Sequence, residues 1–389
     1  MIEAISRAEL LKKNYSIDTD PTESYPVPGL LSTTQVCRVI KEKFGHSAVY
    51  IINTPEITAI GSHPSIVGES HSDMCRRAAD ETFKVLKYVN RDSLDDFINC
   101  LVLRAAPGFK IGEAAEQADY VFPQATIRPR YVKPSFRDHD GSAVKTLEIL
   151  NSDFSKVPDN KELTLLKFDT EASLGTTEKV LPFILEELGK RNSSIKKVIF
   201  GGYVSGPSIS KIVRLAKKHN FESEIYAWGN VTGLYSNNYD MPVYGPDEAL
   251  WREKKRISFI NSVIPLEILE KYADIFIPGA DQPGDWSARQ SEVFNGVEYE
   301  KGEIIKHLSG SIEFIGNLYK MFHMQKREEQ DFGFLDYHGK LMETEISNMQ
   351  DILDIYLKTR VYVDTFLTNK GSLSFAEGMR AKPVQKFKD

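Results

Sequence analysis

Asp169 is followed at once by Thr170, Glu171, Ala172, Ser173, Leu174, Gly175, Thr176 and Thr177, an acid leading into a run of small and hydroxyl-bearing residues. The acid closes an apolar run that begins at Leu163 and leaves no room for a solvated face, the pattern of a buried parallel strand. Beyond Thr177, Val180, Leu181, Ile184, Leu185 and Leu188 recur at helical spacing, and the pattern stops near Gly189. A strand, a Ser/Gly/Thr turn and a helix start bring free backbone N–H groups and the positive helix end to one point, so this stretch suits a phosphate. An ordinary joint whose Ser and Thr only cap the helix would read the same way. Neither Gly-x-x-x-x-Gly-Lys-Ser/Thr nor Gly-x-Gly-x-x-Gly occurs in this stretch, which removes two nucleotide-binding loops from consideration.

Other segments offer cations and a second acid. The apolar run 99–103 ends in Arg104, Ala105, Ala106, Pro107 and Gly108 before a helical segment. Arg104 is thus expected at a strand end beside backbone that a ligand can approach closely. A fixed cation there suits an oxyanion, or else an ion pair at a sheet edge. Arg128, Arg130 and Lys133 lie in an extended, Pro-punctuated stretch, and nothing in the spacing chooses between Arg128 and Arg130. Asp138, His139 and Asp140 invite a metal, although two carboxylates around one His in a turn also describe a surface loop. A run at 274–277 delivers Pro278-Gly279-Ala280-Asp281-Gln282-Pro283-Gly284-Asp285-Trp286, a turn-rich loop with acids and one large ring.

These groups need a frame that brings strand ends together. Apolar runs at 48–53, 197–203 and 225–228 alternate with amphipathic segments, one at 74–88 with Cys75, Ala78, Phe83 and Leu86 or Val85 inward, another through Ile209, Ile212, Val213 and Leu215. That alternation predicts an α/β fold with a largely parallel sheet flanked by helices and all ligand groups at one sheet edge. Residues 1–45, with Tyr25-Pro26-Val27-Pro28-Gly29, are expected to be an arm lying over the main domain, 46–295 that domain, and 296–389 a helical appendage. In the appendage, Ile305, Leu308, Ile312, Ile315, Tyr319 and Phe322 form one stripe, and Met342, Ile346, Met349, Leu353, Tyr356 and Leu357 another. Such stripes are buried as an antiparallel pair or against a second copy, so a homodimer is expected.

A net charge of -6, with basic residues interspersed among acids, gives no electrostatic case for nucleic acid. Cys37, Cys75 and Cys100 are scattered, which suggests neither disulfides nor zinc but small buried groups. No apolar run approaches a membrane span and the N-terminus lacks a secretion signal, so a cytoplasmic location is expected.

The acid and turn at 169–177 resemble the PRPP loop of type I phosphoribosyltransferases. Arg104-Ala105-Ala106 resembles the Leu-Arg-Ala-Gly pyrophosphate loop of the uracil enzymes of that family, and 278–286 resembles their Pro-Gly-Leu-Gly-Asp-Ala-Gly-Asp-Arg base loop. His63-Pro64-Ser65-Ile66 is similar to their His-Pro-Leu-Val opening and implies no chemistry. The motifs stand in the family's order over roughly residues 60–290. The resemblance implies that Asp169 holds the ribose hydroxyls, that Ala172, Ser173, Leu174, Gly175, Thr176 and Thr177 hold the 5'-phosphate, and that Arg104, Ala105, Ala106 and Arg128 or Arg130 hold pyrophosphate. It further implies that Ile277, Gly279, Gly284, Asp285 and Trp286 face the base, that Asp169, Arg104 and Asp285 serve catalysis, and that Mg²⁺ is assisted by Asp169 or Asp285. The implied activity joins a nucleobase, uracil or another, to PRPP with release of pyrophosphate.

The departures are Leu174 and Thr176 in the turn, Ala106 in the pyrophosphate loop, and Trp286-Ser287-Ala288 where an Arg and an aromatic-Gly pair belong. They leave room for a silent PRPP- or nucleotide-binding regulator, and they disfavour uracil, because the indole would either stack on a base or fill its space. An aspartyl-phosphate hydrolase built on Asp169-Thr170-Glu171 would want a second Asp and leaves Arg104 and the 278–285 loop without a role.

Overall fold

The computed structural model describes residues 17–40, 47–63, 66–91, 94–131, 147–235, 262–273 and 286–309, with the single positions 8, 9, 12, 44, 45, 238 and 241. The strands are β1 (Thr22–Ser24), β2 (Gln35–Val39), β3 (Ala48–Asn53), β4 (Phe97–Val102), β5 (Gln124–Tyr131), β6 (Leu147–Asp153), β7 (Glu162–Glu171), β8 (Ser194–Ser205), β9 (Glu222–Thr232), β10 (Glu292–Phe294) and β11 (Tyr299–Lys301). Strands β1 to β9 form one sheet in the order β1-β2-β3-β9-β8-β7-β4-β5-β6. From β3 across to β5 every pairing is parallel, while β1, β2 and β6 add antiparallel edges. The expected α/β architecture, a mostly parallel sheet flanked by helices, is what the chain adopts.

The helices divide between the two faces because successive strand residues point to opposite sides. Leu163 and Leu165 pack with Val180, Leu181, Ile184 and Leu188 of α4 (Gly175–Gly189) and with Ile209 and Ile212 of α5 (Gly206–His219). Leu166 and Phe168 pack on the other side with α1 (Pro55–Ser62), α2 (Gly68–Val89) and α3 (Ile111–Gln117). A further helix, α6 (Leu266–Ala273), adds Ile268 and Leu269 to the first face. In α2 the inward residues Cys75, Ala78 and Phe83 are buried, as the stripe required, and so are both Val85 and Leu86. Helix α1 starts where Thr54 accepts from the Ile57 N–H and Pro55 occupies the first turn.

Two expectations about the ends of the domain change. Residues 22–39, expected in an arm over the domain, instead extend its sheet by β2 and β1, antiparallel to β3. The hairpin β10–β11 pairs across the expected join at 295/296, Phe294 opposite Tyr299. The stripes at 312–322 and 342–357 lie outside the described residues. No helix among the described residues is long and apolar enough to cross a membrane.

Candidate active site at the sheet switch point

The chain leaves β4 for β5 on one side, then returns to place β7 on the other side of β4 and steps away through β8 to β9. The carboxyl ends of β4 and β7 therefore flank the point where the winding reverses, the place where open α/β sheets leave a ligand crevice. The Arg104 loop and the 172–177 turn form its two lips.

The turn lip is built on β7 and α4. Lys167, Asp169 and Glu171 share one strand face by their spacing of two. Lys167 and Glu171 are buried, and Asp169 is nearly so. The Lys167 ammonium donates to Asp169 Oδ2 at 3.1 Å and, more closely, to Glu171 Oε1. Glu171 also accepts from Thr177 Oγ1 at 2.9 Å, which ties the strand to the first turn of α4. Asp169 Oδ1 accepts from the Thr170 N–H at 2.8 Å. Burial penalises the Lys167 ammonium, but the Asp169 and Glu171 carboxylates outweigh that penalty and push its pKa above the ordinary lysine range. Burial, together with the nearby Glu171 charge, raises the Asp169 carboxyl above its usual range despite Lys167.

Leu174 turns the chain with φ of 63°, in the left-handed region, and its side chain is buried in the core. The turn carbonyls are held from α5 and its cap: Ser205 Oγ donates to Ala172 O at 2.5 Å and Lys211 Nζ to Ser173 O at 2.7 Å. On the outer side the Tyr131 hydroxyl meets Thr176 Oγ1 at 2.9 Å. A Cβ on Gly175 would have only Ser173 Oγ and Tyr131 Oη nearby, at 3.6 and 3.8 Å, so the helix start faces open space lined by hydroxyls. Gly202, with φ of 103°, lets β8 pass close to Asp169, because a Cβ there would strike the Asp169 carbonyl oxygen and Phe109.

The cation lip follows β4. The Leu103–Arg104 peptide is cis, and Ala106–Phe109 forms a single 3-10 turn before α3. Arg104 Nη1 donates to Glu300 Oε2 at 3.0 Å, and Arg104 Nη2 lies 3.8 Å from Glu303. Arg128 Nη2 lies 3.7 Å from the same Glu300, and Arg128 Nη1 donates to the Asn295 carbonyl at 3.1 Å. Arg128 is thus the arginine of β5 that converges with Arg104, whereas Arg130 is exposed.

Trp286 requires a correction. Expected to stack on a base or to fill its space, it is 1% exposed. It stacks on Phe109 at 4.2 Å, with His71 edge-on at 4.7 Å and Tyr203 and Trp228 also against it. The flat apolar ring goes where it removes most area from water, under the 106–109 turn, and has no face left for a base. Ile277, Gly279, Gly284 and Asp285 of the base loop lie outside the described residues, as do Lys133 and the 138–140 triplet. Among the described residues no group of three His, Cys, Asp or Glu side chains could hold a metal ion. Cys75 and Cys100 are buried, as expected, with thiols pushed up to about 12 and about 11 by burial; Cys37, partly buried, is pushed to about 11 for the same reason.

Lys167 and Glu300 are the groups that the sequence reading did not single out. Lys167 sits inside an apolar run at two and four residues before acids, a period that puts all three charges on one strand face and was a readable signal. Glu300 carried none.

No protein-family description matches the sequence, and no curated protein does. Among solved structures, a hypoxanthine-guanine phosphoribosyl transferase from L. donovani is similar at 13% identity, covering 41% of this chain and 78% of that one, with a TM-score of 0.27. An adenine phosphoribosyl transferase from Trypanosoma brucei, solved with AMP, pyrophosphate and ribose-5-phosphate, aligns at 12% identity over 46% of this chain and 83% of its own, TM-score 0.31. A hypothetical protein from Neisseria gonorrhoeae with bound ppGpp aligns at 15% identity over 40% and 82%, TM-score 0.27.

Proposed function

We propose that the protein is a Mg²⁺-dependent phosphoribosyltransferase that joins a nucleobase to PRPP and releases pyrophosphate. The observation that carries this reading is the pairing of a phosphate-type turn at the end of β7 with two convergent guanidiniums, Arg104 just past the end of β4 and Arg128 within β5. One lip suits the 5'-phosphate of a sugar and the other suits the anion leaving its first carbon. In this reading the α4 backbone N–H groups and the Ser173 and Thr176 hydroxyls hold the 5'-phosphate. Asp169 accepts from the ribose hydroxyls and faces the positive charge that grows on the ring as the carbon–oxygen bond to pyrophosphate breaks and the bond to the base nitrogen forms. Arg104 and Arg128 take the charge of the departing pyrophosphate.

Asp169 has a protein donor on each oxygen, so it fits the metal through a water or a ribose hydroxyl rather than as a direct ligand. When bound with PRPP, Mg²⁺ would neutralise pyrophosphate oxygens as they leave. The same reading makes the protein a cytoplasmic homodimer, with Asp285 as a second acid at the site. Uracil is not the base we expect, since the arginine and aromatic-Gly pair of the uracil pattern are missing and Trp286 has turned into the core.

The burial of Trp286 and the pairing of both arginines with Glu300 favour a second reading, a protein that binds PRPP or a nucleotide without turnover. Pyrophosphate release from PRPP and Mg²⁺, measured against adenine, hypoxanthine, orotate and uracil, separates the two. Release that depends on one base supports the enzyme. Binding of PRPP or a nucleotide without release under any base supports the sensor, and absence of both PRPP and nucleotide binding defeats both.

A further inference from the structure

Arg128 comes from β5 and Arg104 from the turn that follows the neighbouring β4, and both guanidiniums point at one carboxylate, that of Glu300. The acid is held in place by a third donor, Asn295 Nδ2, at 2.6 Å from Oε1. These hydrogen bonds, from Asn295 and Arg104, keep its carboxyl below the usual range, so it is charged wherever the arginines need a counter-ion. The arrangement is that of an anion site with an anion in it. The side chains of Arg104 and Glu300 are 33% and 35% exposed, so solvent and ligands reach the pair. The segment that carries Glu300 is a two-stranded hairpin of three-residue strands whose ladder pairs only with itself, tied to β5 through the Asn295 carbonyl that accepts from Arg128 and to the β4 end through Phe294. A pair of such short strands has little stability of its own, and moving it breaks no ladder of the main sheet.

We propose that Glu300 is an internal occupant of the anion site formed by Arg104 and Arg128, displaced only by a ligand that brings a multiply charged anion such as pyrophosphate or a sugar 1-pyrophosphate. The proposal rests on the assignment of these arginines to pyrophosphate and adds a charge threshold to it. A sugar carrying only a 5'-phosphate engages the 172–177 turn and leaves Glu300 in place. A ligand with pyrophosphate on the first carbon competes for both arginines, and the β10–β11 hairpin gives way. Glu303, 3.8 Å from Arg104, contributes to the same threshold more weakly.

The test is calorimetric titration of the full-length protein with inorganic pyrophosphate and, separately, with ribose 5-phosphate. Glu300→Gln keeps the size and the Asn295 contact but removes the charge, so pyrophosphate affinity is expected to rise about tenfold. Glu303→Gln should give about twofold. Ribose 5-phosphate affinity should be the same in wild type and both variants. Glu300→Ser, which also removes the reach, should match or exceed the Gln variant. Unchanged or weaker pyrophosphate binding in both Glu300 variants overturns the proposal, and so does a marked drop in their thermal midpoints, since Glu300 would then be a structural tie. If ribose 5-phosphate fails to bind while pyrophosphate responds as stated, the threshold stands and the PRPP reading falls. If ribose 5-phosphate binds and pyrophosphate does not respond, the reverse holds.

Discussion

The two lips of the crevice stand on different foundations. The turn lip rests on charge: Lys167 lies between Asp169 and Glu171, and Thr177 locks Glu171 to the helix start. The cation lip rests on aromatic packing: Phe109 of the 106–109 turn lies flat on Trp286, with His71, Tyr203 and Trp228 around that indole. The first foundation is drawn from a single strand and its following turn. The second gathers residues from α2, β8, β9 and the segment after the base loop. A lip that must hold an anion against a competing acid is built on an apolar floor, whereas a lip that must present a carboxylate is built on a cation that offsets part of the cost of burying it.

That contrast can be broken from either side, and the two largest effects come from the foundations themselves. Lys167→Met leaves Asp169 and Glu171 facing each other without their shared cation, and removing one member of a buried charge network costs about 3–5 kcal/mol. Urea unfolding should show this loss, and a change under about 1 kcal/mol would mean that the turn lip does not depend on the network. Trp286→Ala empties the aromatic floor and should cost a similar ~3–5 kcal/mol. A well-folded Trp286→Ala protein that gains activity on uracil would instead show that the indole screens a base site, the role that the packing on Phe109 argues against.

The same contrast explains what was legible in the sequence. Strand β3 at Ala48–Asn53, the inward stripe of α2, and the β7-turn-α4 joint followed from period and turn chemistry, because each is decided by neighbours along the chain. The placing of Arg104 at a strand end followed in the same way. Its partner did not: Glu300 is 196 residues away, on a three-residue strand too short to carry a period. Strand β1 escaped for the same reason, β2 because burial does not alternate along its five residues, and β6 because its alternation of half-buried and exposed positions at a sheet edge resembles a loop. Trp286 was misplaced because a ring next to an acid reads as part of a site, and only the three-dimensional neighbours reveal the apolar floor beneath it.

A smaller effect sharpens the turn lip alone. Gly175 has space beyond it, so Gly175→Ala should fold and bind ribose 5-phosphate nearly as wild type, whereas the branched side chain of Gly175→Val projects into the hydroxyl-lined opening. A loss of affinity of about tenfold, or ~1.4 kcal/mol, is expected for Val. Equal affinity for ribose 5-phosphate in the Val variant would move the phosphate off this turn. Pyrophosphate affinity should be indifferent to both, since it belongs to the other lip.

The last effect comes from pH, where the lips should carry opposite signs. His71, edge-on to Trp286, is held well below the ordinary histidine value, first by burial and then by the Arg289 charge. His63, whose carbonyl accepts from Arg289, is lowered from 6.5 to about 4, mainly by burial. A depressed histidine contributes stability that is present above its unfolded value and lost as pH falls toward the folded one, so the floor of the cation lip weakens between about 6.5 and 4. Asp169 runs the other way. Its folded value lies above the unfolded 3.8, so its contribution is present at low pH and lost as pH rises through the folded value. The opposing slopes should make the loss of stability on going from pH 6.5 to 4.5 smaller than the two histidines alone would give. Urea unfolding across that range isolates the parts. Asp169→Asn removes the compensating slope and should make the acid loss steeper, while His71→Phe, which keeps a ring against the indole, should make it shallower. Identical slopes in wild type and both variants would show that neither lip is where the pH dependence resides.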